Sequence, residues 1–223
     1  MGSASRGGPM TETRTQVHHP LFARVFDRIS RKGEEAGQAE HRQRLLDGLS
    51  GDVIEVGAGN GMNFRHYPST VKRVLAVEPE SYLRERAQQS AEKATVAIEV
   101  VDGVADRLPA EDGAFDAAVA SLVLCSVPDQ AAALDELRRV LRPGGELRFY
   151  EHVVADRPGL ARVQRALDAT VWPRVAGGCH AARDTAMAIR AAGFEIQRCE
   201  SFAFVPCPAL PTAPHILGVA RRP

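Results

Sequence analysis

The sequence predicts an α/β domain built on a mostly parallel sheet with helices on both faces. Apolar runs rich in β-branched residues alternate with segments of helical character, and the runs cover residues 53–56, 71–77, 95–101, 115–122 and 146–152. Alternation of strands with helices is typical of βαβ units, which align strands in parallel and cover both sheet faces.

The segments between these runs carry the helical pattern. Residues 81–93 are one such segment, and residues 130–141 place five apolar side chains on one face at helical spacing: Ala133, Leu134, Leu137, Val140 and Leu141. After Asp156 the rhythm changes, and we expect helices at 160–170 and 184–192 followed by a strand pair at 194–204 and 215–221. Residues 19–40 predict an amphipathic helix broken at Gly33, placed over a ligand pocket or serving as a structural cap.

Length and composition limit the class of protein. A chain of 223 residues that is 44% hydrophobic fits one domain with a substantial core. Its 28 Lys and Arg balance 28 Asp and Glu, so no overall charge favours nucleic acid as a partner. No run approaches 18 apolar residues and no secretory signal is visible, so we expect no membrane anchor and a cytoplasmic location. The four cysteines show no CxxC pair, and we expect no metal site.

The most informative segment is the predicted first strand and the glycines that follow it. Gly57, Gly59 and Gly61 stand at alternate positions in EVGAGNG, where the absence of a Cβ lets a ligand approach the backbone and permits positive φ. Dinucleotide-binding folds prefer GxGxxG, with a helix N-terminus directed at a pyrophosphate. The GxGxG spacing therefore favours a ligand without phosphate.

Two further segments follow the next strands at the edge where ligands bind in open α/β sheets. Glu78 follows the second strand in LAVEPE, where a carboxylate can accept both hydroxyls of a ribose. Gly103 and Val104 follow the third strand, where backbone groups could meet an adenine. In isolation, Glu78 could equally be a solvated loop acid and the Asp102–Val104 segment an ordinary turn.

Five motifs in order, EVGAGNG, AVEP, DGVADRLP, FDAAVASLVLCSV and LRRVLRPGGELRFYEH, resemble the class I methyltransferases, especially the ubiquinone/menaquinone-type group. The resemblance implies a Rossmann-like, seven-stranded sheet whose last strand is antiparallel, with S-adenosylmethionine as cofactor and S-adenosylhomocysteine as product. It places cofactor contacts at Glu55, Gly57, Gly59, Gly61, Glu78 and Leu122. The predicted cofactor site is completed by Ala58, Asn63, Pro79, Gly103 and Val104. Val104 stands where many relatives carry an acidic residue, so an adenine contact through that side chain is lost.

A narrower set of motifs extends into the last third of the chain. LVLCSV, VLRPGG, EHV, Leu167-Asp168 with Trp172, Gly178-Cys179, Arg183 and Pro214-His215-Ile216 with Gly218 are similar to the methyltransferase-like thiol S-methyltransferases. The resemblance implies a small-molecule acceptor, most directly a thiol. The small, polar and Gly-rich start of the chain predicts a leader or disordered tail at 1–18. The rest is predicted to be one domain at 19–223, divided into an N-terminal helical cap (19–50), a cofactor-binding half (51–155) and an acceptor-side half (156–223).

The predicted acceptor pocket is apolar because a thiolate and a sulfonium neutralise each other in the transition state, which a low-polarity pocket favours. The candidate lining residues are Phe22, Phe26, Cys125, Trp172, Phe202 and Phe204. His152 and His180 are the candidate general bases for deprotonation of the thiol. Each of these residues could also be structural, since aromatic residues, cysteines and histidines commonly pack in cores.

Three other functions remain open at this stage. A methyltransferase acting on carbon, oxygen or nitrogen shares the same cofactor motifs. A non-catalytic cofactor-binding module could retain the crevice without turnover, and a nicotinamide oxidoreductase is disfavoured by the glycine spacing. The oligomeric state does not follow from the sequence.

Overall fold

The structure is a computed structural model that describes residues 20–205 and 212–223, so the predicted leader lies outside the described residues. Seven strands form one sheet in the order β3-β2-β1-β4-β5-β7-β6. The strands are β1 Gly51–Val56, β2 Val71–Val77, β3 Ala97–Val101, β4 Phe115–Ser121, β5 Leu141–His152, β6 Glu195–Phe204 and β7 Ala213–Arg221. β7 lies antiparallel between β5 and β6, and β1 to β5 pair in parallel. The predicted Rossmann-like sheet with an antiparallel last strand is confirmed.

Seven α-helices connect and cover the strands in the described part of the chain. They are α1 Pro20–Gly33, α2 Ala39–Leu46, α3 Ser81–Ala91, α4 Gln130–Val140, α5 Pro158–Asp168, α6 Trp172–Val175 and α7 Thr185–Ala191. An acidic N-cap residue precedes each of α3, α4 and α7, and its side chain accepts a backbone N–H of the first turn; these residues are Glu80, Asp129 and Asp184. Within the described ranges, every helix is too short or too polar to cross a bilayer.

The N-terminal helical segment breaks at a different glycine from the one predicted. Gly33 is helical, with φ −61° and ψ −39°, and the chain leaves helical geometry at Gly37, whose φ is +110° within the π-helical turn Glu34–Gln38. Glycine adopts this conformation at little cost, and both glycines satisfied the sequence pattern.

Two other boundaries differ from the prediction. α4 ends at Val140 and β5 begins at once at Leu141, because Leu141 pairs with Phe115 of β4. The segment between the predicted helices 160–170 and 184–192 contains a further short helix, α6.

A hydrophobic core lies on each face of the sheet, and successive strand residues point to opposite faces. Ile54 and Val56 of β1 face a core shared with α4 and α7, whereas Val53 faces a core shared with α2 and α3. Strands buried on both sides read as continuous apolar runs. Because β1 to β4 are parallel, their carboxyl ends meet along one edge of the sheet. The loops after these strands form the candidate site.

Candidate active site

The loop after β1 requires glycine at two positions for steric reasons. Gly57 has φ +64°, and a Cβ added there would lie 2.3 Å from Cγ2 of Val123. Gly61 has φ +77°, and its Cβ would lie 2.8 Å from Cδ2 of Phe64. Separations this short do not occur between real atoms, so the loop packs its backbone directly against neighbouring side chains. Ala58, between them, donates its N–H to Val77 O at 3.1 Å and ties the loop to β2.

Glu78 joins this glycine loop to the end of β2. Its carboxylate accepts the N–H of Gly59 at 2.8 Å and the N–H of Glu80 at 2.9 Å, one on each oxygen. Each oxygen retains a second acceptor position. Burial raises the pKa of Glu78 to about 7, against the lowering effect of those two bonds. The carboxylate stands at the predicted strand end, with capacity for two hydroxyl donors.

The loops after β2 and β3 continue the same edge. A Cβ on Gly103 would lie 2.9 Å from Cγ1 of Val77, so this loop also packs closely on β2. Pro79 accepts a bond from Arg84 at 3.0 Å, and Val104 pairs with Arg107 in a short bridge. These contacts bring the predicted segments of β1, β2 and β3 to one edge.

Leu122 follows β4 with a strained backbone. Its φ is +59°, and among the described residues it alone combines a positive φ with a side chain. Its N–H donates to Tyr150 O of β5 at 2.7 Å, which holds the conformation in place. Such strain persists only where surrounding structure imposes it, and it concentrates at binding and catalytic sites.

Glu55 is bonded inside the protein rather than open to solvent. Its carboxyl accepts Tyr67 Oη–H at 2.7 Å and Asn63 Nδ2 at 2.8 Å. Burial raises its pKa to about 7, although both donors and the charge of Arg42 lower it. Glu55 therefore anchors Asn63, the predicted cofactor residue after the glycine loop.

Arg42 of α2 connects the N-terminal helices to this edge. Its Nη1 donates to Asn63 Oδ1 at 2.9 Å and to Ser121 Oγ at 3.1 Å, and its Nε donates to Glu34 at 2.7 Å. Burial raises the pKa of Glu34, but hydrogen bonds from His66, Arg65 and Arg42 and the charge of Arg42 outweigh burial and lower the pKa to about 2. The network spans the ends of both β1 and β4.

α1 lies directly over the glycine loop. Asn60 Nδ2 donates to Asp27 Oδ1 at 2.8 Å and to Ser30 Oγ at 2.9 Å. A Cβ on Gly59 would lie 3.3 Å from the ring of Phe26. The structure therefore places Phe26, predicted to line the acceptor pocket, against the glycine loop. Phe22 lies on α1, but its side chain is outside the described residues.

A cluster of aromatic and imidazole rings occupies the neighbouring ends of β5, β6 and β7. His152 and His215 have ring centroids 4.9 Å apart, and His215 also packs on Tyr150, Phe202 and Phe204 at 5.5–5.9 Å. His41 of α2 packs on Phe202 at 4.4 Å. Two predicted pocket residues, Phe202 and Phe204, are therefore brought together with a predicted base, His152.

His215 is fixed in one tautomer by its backbone contact. Its Nδ1 lies 2.9 Å from Ala213 O, and because a carbonyl only accepts, Nδ1 carries the proton. Burial lowers the pKa of His215 to about 4, and the charge of His152 contributes in the same direction. The imidazole is neutral at physiological pH.

Two cysteines adjoin this ring cluster, which we call the His152 cluster. Cys179 Sγ lies 3.6 Å from His152 Nδ1. The neighbouring Cys125 thiol lowers the pKa of Cys179 against the raising effect of burial, and the Trp172 side chain lowers it less. The neighbouring Cys179 and burial raise the pKa of Cys125. Cys125 is buried and keeps its proton. The structure therefore brings together Cys125, Trp172 and His152 as predicted, and adds Cys179.

The turn that carries Cys125 is held by Glu151. Its buried carboxyl accepts the N–H groups of Val123, Leu124 and Cys125 at 3.0–3.1 Å. Burial raises the pKa of Glu151 well above its ordinary value despite those donors. The three bonds fix the turn after β4 beside His152.

The second predicted base points elsewhere. The His180 backbone N–H donates to Cys125 O at 2.8 Å, but its ring faces Asp168 of α5, with Nδ1 4.0 Å from the carboxylate. Of the two histidines, only His152 contacts the sulfur of Cys179.

Sequence reasoning missed the polar residues that join the N-terminal helices to the sheet. Arg42, Glu34, Tyr67 and Tyr150 each act through partners distant in sequence. No local sequence pattern indicates that one arginine of the polar helix α2 is buried. Tyr67 stands six residues after Gly61, close enough to the glycine loop for its sequence position to suggest a supporting role.

Comparisons with known proteins agree with this geometry. Residues 54–149 match the family described as "Methyltransferase domain". The chain is similar to the mouse (Mus musculus) thiol S-methyltransferase TMT1B, with 35% identity over 216 residues, 93% of this chain and 87% of that protein. Among solved structures, it resembles a SAM-dependent methyltransferase from Thermotoga maritima, with TM-score 0.68 and 21% identity over 91% of this chain and 97% of that one.

The fold alone leaves the reaction open. The [4+2]-cyclase SpnF shares it, with TM-score 0.63 and 22% identity over 90% of this chain and 80% of that one. The sequence relationship decides the class: the protein is an S-adenosylmethionine-dependent methyltransferase. It belongs to the methyltransferase family that includes the thiol S-methyltransferase TMT1B. This confirms the predicted enzyme class and cofactor over the non-catalytic and nicotinamide alternatives.

Proposed function

We propose that the protein transfers the methyl group of S-adenosylmethionine to the sulfur of a small thiol. The observation that carries the proposal is the 35% identity to a thiol S-methyltransferase over 93% of the chain, which includes the half beyond the cofactor motifs. Segments outside the cofactor crevice set acceptor specificity, so similarity there bears on the substrate. The proposed division into a helical cap, a cofactor half and an acceptor half follows the same logic.

We place the cofactor at the ends of β1 to β4. The glycine loop supplies backbone with no room for a Cβ at Gly57 and Gly61, and Glu78 has two open acceptor positions for the ribose hydroxyls. Pro79, Gly103 and Val104 flank the adenine, and Leu122 presents its strained backbone to the amino-acid part. When bound, S-adenosylmethionine supplies an electrophilic methyl group on a sulfonium.

Ala58 and Glu55 support this site from behind. Ala58 holds the loop to Val77, and Glu55 orients Asn63. Phe26 covers the glycine loop from α1. Methyl transfer is an in-line displacement, so the protein mainly has to hold donor and acceptor at about 3–3.5 Å and exclude water.

We place the acceptor against the His152 cluster. The rings of Phe202, Phe204 and Trp172 provide an apolar surface next to the turn carrying Cys125. A thiolate and a sulfonium lose their charges together in the transition state, and an apolar surrounding favours that loss over charge separation. A thiol therefore matches the chemistry of this surface.

His152 is the proposed general base. Burial lowers the pKa of His152, against the raising charges of Glu151 and Asp168, so its ring is neutral and ready to accept a proton. In the tautomer that donates Nδ1–H to Cys179 Sγ, Nε2 is the accepting nitrogen. The acceptor S–H proton passes to Nε2, the sulfur electron pair forms the new C–S bond, and the bond to the sulfonium breaks to give S-adenosylhomocysteine.

A matched set of acceptors tests the proposal. Benzenethiol, phenol and aniline share one ring and differ in the nucleophilic atom. We expect methylation of benzenethiol at a rate at least tenfold above that of the other two, followed as methylated product by mass spectrometry. Preferred methylation of phenol or aniline would instead favour an oxygen or nitrogen acceptor and reject the thiol.

A further inference from the structure

We propose that Arg42 binds the carboxylate of the amino-acid part of S-adenosylmethionine, so that the N-terminal helical cap forms part of the cofactor site. The inference rests on the cofactor placement proposed above and is independent of the acceptor. It is carried by the position of the guanidinium, its free donors and the charge around it.

The position of Arg42 is set by contacts at two strand ends. Ser121, which receives one bond from Nη1, is the last residue of β4, and Asn63, which receives the other, follows the glycine loop of β1. β1 and β4 are direct neighbours in the sheet. The guanidinium therefore stands between the two strand ends nearest Leu122 and Gly57, where the amino-acid part of the cofactor is placed.

The donors of Arg42 are only partly used. Nε bonds Glu34, and Nη1 bonds both Asn63 and Ser121. Nη2 donates no hydrogen bond to another residue of ranges 20–205 and 212–223, although Arg42 is only 6% exposed. Nη2 therefore keeps two N–H donors that are available to a ligand at this edge.

The charge around Arg42 favours an anion. Glu34 is shared by two guanidinium groups, because Arg65 also bonds its carboxylate. Glu55, the next acid, is held by Tyr67 and Asn63 and does not bond Arg42 directly. Arg42 thus has one directly bonded carboxylate, and that carboxylate is divided between two guanidinium groups. A further carboxylate is the group that matches Arg42, because arginine forms strong charge-assisted bonds with carboxylates.

Binding calorimetry with three ligands tests the proposal. S-adenosylhomocysteine carries the carboxylate, decarboxylated S-adenosylmethionine retains only the amine, and 5′-methylthioadenosine lacks the whole amino-acid part. For Arg42→Gln we expect the affinity for S-adenosylhomocysteine to fall by about 10- to 100-fold, the loss expected for a hydrogen bond to a charged group. The affinities for the two ligands without a carboxylate should change by less than about twofold.

Two control variants separate this inference from the rest of the account. Arg44→Gln changes an arginine two residues away that pairs with Glu200 at the surface, and it should leave all three affinities unchanged. Glu78→Gln should weaken all three ligands, because each contains the ribose. If Glu78→Gln has no effect on any ligand, the cofactor placement fails, whatever Arg42 does.

Two results with Arg42→Gln would overturn the proposal. Equal loss of affinity for all three ligands in Arg42→Gln would mean that Arg42 only supports the fold, and unchanged affinity for S-adenosylhomocysteine would mean that it makes no contact. If Arg42→Gln does not fold, Arg42→Lys decides the matter, because it retains the charge but not the planar fork. It should weaken S-adenosylhomocysteine selectively, and a uniform loss would reject the proposal.

Discussion

The N–H of Gly59 donates to the carboxylate of Glu78 at 2.8 Å, which links the loop after β1 to the end of β2. The glycine loop and the acid were separate motifs in the sequence, and this bond makes them one structure. Glu78 thus holds the loop and retains a second acceptor position on each carboxylate oxygen.

Glu78→Gln is expected to weaken S-adenosylhomocysteine about 10- to 100-fold, because it removes the charge from the acceptor of two hydroxyls. Isothermal titration calorimetry measures the change. Glu85→Gln, an exposed acid on α3, is the matched control and should bind like the parent protein. An affinity unchanged in Glu78→Gln would place the ribose elsewhere.

The pH dependence of binding follows from the same residue. The pKa of Glu78 is raised to about 7 by burial, with Glu80 raising and Arg84 lowering it by charge. In the proposed site the ionised carboxylate accepts both hydroxyls, so binding is expected to release a proton. The association constant should fall by up to about tenfold per pH unit below pH 7 and level off above it.

Calorimetry from pH 5.5 to 8.5 checks this prediction. Glu78→Gln should flatten the dependence of affinity on pH. Any slope that remains is assigned to Glu55, whose pKa is also raised to about 7. An affinity that rises as the pH falls would show that the neutral carboxyl is the binding form.

Gly57→Ala is expected to lower the free energy of unfolding more than the same change at another left-handed glycine. The added Cβ meets Val123 at 2.3 Å, which adds about 1–3 kcal/mol of overpacking to about 1–2 kcal/mol for the positive φ. Gly48→Ala has φ +74° and no atom within 4 Å, so it carries the second cost alone. Urea denaturation compares them, and equal losses would contradict the steric argument.

His152→Asn is expected to lower kcat about 100-fold or more with an alkyl thiol, because a general base no longer accepts the proton. An acidic aryl thiol is already ionised at neutral pH and should lose much less. S-adenosylhomocysteine affinity should stay unchanged. His180→Asn is the matched control, since its ring faces Asp168. Equal losses for both thiols would assign His152 a structural role.

The positions of β1 to β5 and the cofactor edge followed from the sequence because they depend on local patterns, whereas the antiparallel last strand followed from the family resemblance. Apolar runs marked β1 to β5, and glycine and acid positions marked their ends. The break predicted at Gly33 was wrong, because Gly33 stays helical and the chain leaves helical geometry at Gly37.

The polar network could not be predicted because its partners are far apart in the chain. Arg42 and Ser121 are separated by 79 residues, and no periodic pattern links them. The His152 cluster likewise joins His41 of α2 to residues of β5 to β7. The cytoplasmic location stays a prediction.

The most direct test of the account follows the methyl group. The purified protein is incubated with S-adenosylmethionine labelled in its methyl group and a mixed panel of thiols, phenols, amines and quinols, and products are identified by mass spectrometry. The account predicts a labelled methyl thioether formed in equal amount with S-adenosylhomocysteine, and loss of both in Glu78→Ala. Label found only on oxygen, nitrogen or carbon acceptors would contradict the thiol as substrate.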